Sequence, residues 1–200
     1  YKRQNQKYDI VICQSVLRHI KSSESFISKM LDHARAGALI ICIDTNREFE
    51  CDGLYVEGMD YSYLCDHTGL DKNWKMELER EGRDYAVAMR TAYIMQKLGM
   101  KQIEIRMNDK VSFVSPEMED YHQTVEDFME FNDWNHGIDE VQLERSIQYL
   151  INHGMSRKEA DRFLRKNYVI ADYFKQNSGN VSYTHFIGKM ITFGRKASIT

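Results

Sequence analysis

One proline in 200 residues, and eleven glycines without a period, exclude a collagen-like repeat or a proline-rich linker. Cysteine is scarce too. Cys13, Cys42, Cys51 and Cys65 form no C-x-x-C pair, and Cys51 with Cys65, Asp66 and His67 offers at most one close-spaced set, so no metal centre is expected. Unpaired thiols in a chain of this size fit a reducing, cytoplasmic compartment. The longest apolar run, Ala38 to Ile43, is far short of the roughly 18 residues of a membrane helix, and no signal-like stretch occurs. Charge of one sign is also missing. Lys and Arg number 27 against 30 Asp and Glu, a net −3 that makes no field for nucleic acid. The local basic run Arg157, Lys158, Arg162, Arg165 and Lys166 is interleaved with Glu159 and Asp161 and reads as the solvated face of a helix. There is no G-x-G-x-x-G turn, no Ser/His/Asp set and no paired-carboxylate signature.

What is present is a globular composition, 42% apolar and 28% charged. Residues 8–13, YDIVIC, read as a buried strand. A helix follows from Ser22 or Ser23, carrying Phe26, Ile27, Met30 and Leu31, with Gly37 as its stop. Leu39–Ile43 is a second apolar strand. Strand, helix, strand at this length is a βαβ unit, and strands apolar on both faces predict helices on both sides. Residues 46–79 read as a long irregular excursion. A helix is expected from Arg80 to Leu98, strands at 103–107 and from Val111 after an Asn108-Asp109 turn, and a helix opening at Ser115-Pro116. A further helix stops at Gly154. Ser156 and Glu159 form an S-x-x-E capping box for the next, and His185–Arg195 is a last strand.

In a parallel sheet, ligands bind beyond the carboxyl ends of the strands. The first strand delivers Gln14, Ser15 and, a few residues on, His19. The second delivers Asp44, Thr45, Asn46, Arg47 and Glu48. These stretches carry a resemblance. YDIVICQSVLRHI, a helix, and AGALIICIDTNREFE resemble the fourth strand, helix and fifth strand of class I S-adenosylmethionine-dependent methyltransferases. A helix ending in LGM, then QIEIRM and the closing strand ending in FGRK resemble the family's later part, whose last two strands are an antiparallel pair at one sheet edge. The resemblance covers residues 8–114 and 183–196. It implies an α/β fold: the C-terminal portion of a Rossmann-like methyltransferase sheet, at 1–114 and 183–200, with residues 115–182 as a helical insertion. One of the family's two usual glycines is replaced in Ala36-Gly37-Ala38-Leu39, and the glycine-rich cofactor loop has no counterpart. The chain, opening on Tyr1, is therefore expected to be the later part of a longer enzyme, inactive alone, with strand 8–13 at a sheet edge that a second copy could pair in a homodimer.

The implied activity is methyl transfer from S-adenosylmethionine to a small-molecule acceptor. Gln14 and Ser15 fall at the cofactor, and His19 falls near the acceptor as a candidate general base. Asn46, Arg47 and Glu48 are candidate acceptor-binding residues. Tyr55 and Tyr85, from a group that includes Tyr61, Tyr63 and Trp74, are aromatic candidates for an acceptor cage. The competing expectation is a non-catalytic relative, or a protein-interaction module built on the helical insertion.

Overall fold

The computed structural model describes residues 6–46, 53–137 and 139–198, so Arg47 and Glu48 lie outside the described residues. The chain divides into two compact units, one of residues 1–50, 77–109 and 187–200, the other of 51–76 and 110–186. It is a mixed α/β structure with two sheets.

In the first unit the strands are β1 (Tyr8–Gln14), β2 (Ala34–Thr45), β4 (Lys101–Met107) and β7 (Lys189–Arg195), in the order β1-β2-β7-β4. β1 and β2 are parallel; β7 runs antiparallel to both β2 and β4. β1 is an outer strand, as expected. Helix α1 (Ser23–Asp32) joins the parallel pair, its N-terminus capped by the Ser22 side chain accepting from Ser25 N. Together with α4 (Val87–Lys97) it covers one face of the sheet. Ile27, Met30, Val87 and Met95 pack there on Cys13, Ala38, Ile40 and Cys42.

The opposite face departs from expectation. Register places Ile12, Ile41 and Phe193 in one row and Ile43 and Ile191 in the next, and Ile10 and Ile12 are 56% and 57% exposed. Among the described residues of this unit, no helix lies over them. The β1-α1-β2 crossover commits α1 to one side, the side a right-handed connection favours, and α4 joins it there. Gly37 also has a different task. The helix ends at Asp32, because His33 O accepts from Tyr8 N and turns the chain into the sheet. Gly37, at φ +75°, lies in a bulge that shifts the pairing from Tyr8–Ala34 to Ile10–Leu39.

The expected helix at 80–98 is two helices, α3 (Leu70–Glu81) and α4, broken at Gly82. Gly82 has φ +71°, and a Cβ there would sit 2.8 Å from Lys21 Cα, so this close backbone approach requires glycine.

The second unit holds β3 (Leu54–Val56), β5 (Val111–Val114) and β6 (Tyr183–Phe186), antiparallel in the order β3-β6-β5. Its helices are α2 (Tyr61–Leu64), α5 (Tyr121–Phe131), α6 (Glu140–Asn152) and α7 (Arg157–Gln176), with the first part of α3. Residues 53–76, expected to be irregular, thus carry a strand and two helices. Pro116 sits in a turn ahead of α5, not in its first turn. The expected last strand is two: β6 pairs in the second sheet, β7 in the first. The core is aromatic. Phe128 stacks on Tyr183 at 4.6 Å and meets Trp134 edge-on at 5.4 Å, while Tyr121 OH donates to Val181 O and accepts from Val181 N. The Ser156–Glu159 capping box forms as read.

Candidate functional site

Because β1 and β2 are parallel, their carboxyl ends lie side by side, with Gln14 opposite Ile43. Ser15 N donates to Ile43 O at 2.8 Å, and Ser15 then turns through φ +54°, a left-handed conformation uncommon for a residue with a side chain. Gln14 and Ser15 are both exposed at this turn. A single 3-10 turn, Leu17–His19, follows. Leu17 is fully buried and anchors it, and Leu17 O accepts from Ser23 Oγ.

Behind that turn stands Asp44, 2% exposed, with neither carboxylate oxygen in a well-formed hydrogen bond among the described residues. Burial pushes its pKa up to about 6, although the backbone N–H groups of Leu17 and Arg18 and the Arg18 guanidinium face it and oppose the shift. Asn46 and Thr45, next along the chain, are buried as well. On the same face as Asp44, Cys13 and Cys42 face each other across the strands. The Cys42 thiol is pushed up by its hydrogen bond with Cys13 and by burial, so it stays protonated.

His19 is exposed at the end of the 3-10 turn. Its pKa is lowered by desolvation and by the Arg18 and Arg83 charges, against the pull of Glu77, so the imidazole is neutral at neutral pH. Arg18 Nε donates to His19 Nε2 at 3.0 Å. That bond makes Nε2 the acceptor and leaves the proton on Nδ1. His19 therefore presents an N–H donor in this arrangement, and acts as a base only once Arg18 releases Nε2. Glu77 is buried, with Oε1 3.9 Å from Arg83 Nη1. The turn after Gly82 is tied to the 3-10 turn by Asp84 N donating to Arg18 O, and it carries Tyr85, half-buried.

The structure thus brings Gln14, Ser15, His19 and Asn46, and the turn bearing Tyr85, to one end of the first sheet. Tyr55 belongs to the second unit, on β3, where its ring lies 6.0 Å from that of Tyr61. Sequence reasoning did not single out Asp44, Glu77, Arg18 or Arg83 as site residues. Asp44 was visible as the polar residue closing an apolar strand. Glu77 and Arg83 had no local signal. Two buried carboxylates, two guanidinium groups and a neutral imidazole thus stand at or near this end of the sheet, offering both hydrogen-bond donors and acceptors. Among the described residues no cluster of three or more His, Cys, Asp or Glu is placed to hold a metal ion, and no helix is long and apolar enough to cross a membrane.

No protein-family model and no curated protein matches the sequence. Among solved structures the chain is distantly similar to S-adenosylmethionine-dependent methyltransferases. One is a Bacillus halodurans protein with a provisional methyltransferase assignment, at 12% identity and a TM-score of 0.40. Two are structures of phosphoethanolamine N-methyltransferase 2 from Haemonchus contortus, at 12% identity and TM-scores of 0.37 and 0.38. The first is in complex with S-adenosyl-L-methionine, the second with phosphomonomethylethanolamine and S-adenosylhomocysteine. Each match takes in 96% of this chain, which spans 66% of the first protein and 34% of each of the others.

Proposed function

We propose that these residues form the later part of an S-adenosylmethionine-dependent methyltransferase acting on a small-molecule acceptor. The observation that carries the reading is the pairing of β4 with β7. These strands are separated in sequence by most of the second unit, yet they run antiparallel at the sheet edge beside the parallel β1–β2 pair. That is the arrangement the sequence resemblance implies for the end of a methyltransferase sheet.

The residues present suit one end of the cofactor. Its methionine part carries an ammonium and a sulfonium beside a carboxylate, and the β1–β2 end offers the buried Asp44 carboxylate, whose oxygens make no well-formed hydrogen bond, behind exposed Gln14 and Ser15. Gln14 and Ser15 would hold that part, with Asp44 supplying negative potential from below. The 200 residues contain no glycine-rich turn for the nucleotide, so in this reading they form one wall of the cofactor site. When bound, the cofactor supplies an activated methyl group, and the protein's main task is to hold an acceptor in line with it. His19 orients the acceptor through Nδ1–H, or takes its proton at Nε2 once Arg18 moves. Asn46 and Tyr85 flank the acceptor. The charge balance favours a small acceptor over nucleic acid.

The test is calorimetry of the protein, expressed from its whole reading frame, with S-adenosylhomocysteine. Saturable heat is expected, with Gln14→Ala weakening affinity by about tenfold, the scale of one lost charge-assisted contact. His19→Ala should keep that affinity and lose turnover. Absence of heat at millimolar ligand overturns the reading.

A further inference from the structure

In the second unit a cavity of about 210 Å³ opens between α7 and the segment that follows α2. Its cations come from α7. Lys158, Arg162 and Lys166 recur every four residues, which stacks them along one helix face over about 12 Å. Like charges at this spacing repel each other. Lys166 is also only 8% exposed, its ammonium donating to Leu64 O at 2.9 Å and Asp66 O at 2.7 Å.

The carboxylates lining the cavity are already committed. Asp66 Oδ1 accepts from Thr68 N and Thr68 Oγ1, and Oδ2 takes Arg162 Nη2 at 2.6 Å. Glu159 Oε1 accepts from Lys72 Nζ, and Oε2 from Ser156 N. Donors remain. Among the described residues Arg162, with five N–H groups, has a single ion-pair contact, with Asp66, and Lys158 makes no ion pair. Tyr63 also lines the space. Burial raises its pKa, so its hydroxyl keeps its proton. Phe163 supplies an apolar wall. A cavity rich in donors, with its acceptors spent, selects a ligand that only accepts.

We infer that this cavity is a binding site for a compact oxyanion, a phosphate monoester, held by Arg162 and Lys158 with the Tyr63 hydroxyl. Arg162 suits it because a guanidinium donates two parallel bonds to phosphate. The volume admits a phosphate group with a short substituent; drug-sized pockets begin at about 300 Å³. The inference is independent of the methyltransferase reading, since it concerns the second unit alone.

The experiment is a titration of the isotopically labelled protein with inorganic phosphate at about pH 8, where phosphate is largely a dianion, followed by amide NMR. Saturable shifts are expected, centred on residues 63–68 and 158–166. Arg162→Gln should weaken binding by about tenfold and Lys158→Gln by about threefold, since a bidentate contact outweighs a point charge at the rim. Lys158 is exposed and its replacement leaves the fold intact, so it remains informative if Arg162→Gln disturbs Asp66. Acetate at equal ionic strength should bind at least about tenfold more weakly. The proposal is overturned by shifts that do not saturate, by unchanged affinity in Lys158→Gln, or by acetate binding as well as phosphate.

Discussion

Ile12 of the first unit and Tyr183 of the second both sit on strands, yet Ile12 is 57% exposed and Tyr183 only 2%. That contrast is between the two faces of each sheet, for the second sheet also leaves Val111 and Phe113 62% and 65% exposed while Val56, Val114 and Tyr183 are buried. The units differ in what fills the covered side. In the first it is aliphatic and thiol side chains, Ile27, Ile40, Cys13 and Cys42; in the second Phe128, Trp134, Phe174 and Tyr183 enclose one another. The charged groups diverge the same way. Asp44 in the first unit is buried with neither oxygen in a well-formed hydrogen bond, whereas Asp66 and Glu159 in the second have every oxygen engaged. An unfilled acceptor at the end of a parallel strand pair costs stability, and such costs gather where a ligand is to supply the missing donors. The first unit thus keeps an open valence at its candidate site, whereas the second engages the carboxylates of its cavity and leaves only a neutral amide oxygen, Asn73 Oδ1, unmatched among its described buried groups.

The largest effect expected from this difference lies in the second unit's core. Phe174 is 2% exposed and meets Phe128, Trp134 and Tyr183. Phe174→Ala should cost about 3–5 kcal/mol through lost burial and the cavity left behind. Both tryptophans, Trp74 and Trp134, fall in this unit, so urea unfolding followed by tryptophan fluorescence reads it directly. A loss below about 1 kcal/mol would show a core that collapses around the gap, and the contrast would fail.

What could be read beforehand follows the same division. The β1-α1-β2 unit was legible because its strands are continuous apolar runs and Ser22 is a local cap. The capping box of α7 was legible for the same reason: four consecutive residues carry both of its bonds. Gly37 misled because glycine in a left-handed conformation serves a helix end and a bulge alike; the distant pairing of Tyr8 with Ala34 decides between them. The stretch from His185 to Arg195 reads as one strand because both halves have strand character. Only the partners, β3 and β5 for one half and β2 and β4 for the other, divide it. At the candidate site, Gln14, Ser15, His19 and Asn46 were visible as residues leaving strand ends. Glu77 and Arg83 reach the site from α3 and the loop after it, and no local pattern announces that.

A smaller effect, opposite in sign, is expected at Asp44. Its carboxyl has a pKa near 6 in the folded protein, against 3.8 in the ordinary case. Between those values the folded state binds the extra proton, so stability falls as pH rises from about 4 to above 6. Asp44→Asn removes that penalty. The variant should match the parent near pH 4 and exceed it by on the order of 2 kcal/mol at pH 7.5 in urea unfolding. A variant less stable than the parent at pH 7.5 would mean that Asp44 has found its donors, and the contrast with Asp66 would disappear.

The smallest effect is expected on the open face. Ile12→Thr keeps the β-branched shape that suits a strand and exchanges a methylene-bearing side chain for a hydroxyl already in reach of water. With more than half of Ile12 exposed, little apolar area is lost from burial, and no buried hydroxyl is left without a partner. The cost should stay below about 0.5 kcal/mol in urea unfolding at low micromolar protein, the range of ordinary surface substitutions. The same change at a covered strand position, Ile40→Thr, buries an unmatched hydroxyl and should cost at least about 2 kcal/mol, so the pair measures how unequally the two faces of one sheet are covered. Equal costs would mean that something covers Ile12 in solution. If the Ile12→Thr cost then grew with protein concentration, the cover would be a second copy of the chain, because only association makes stability depend on concentration.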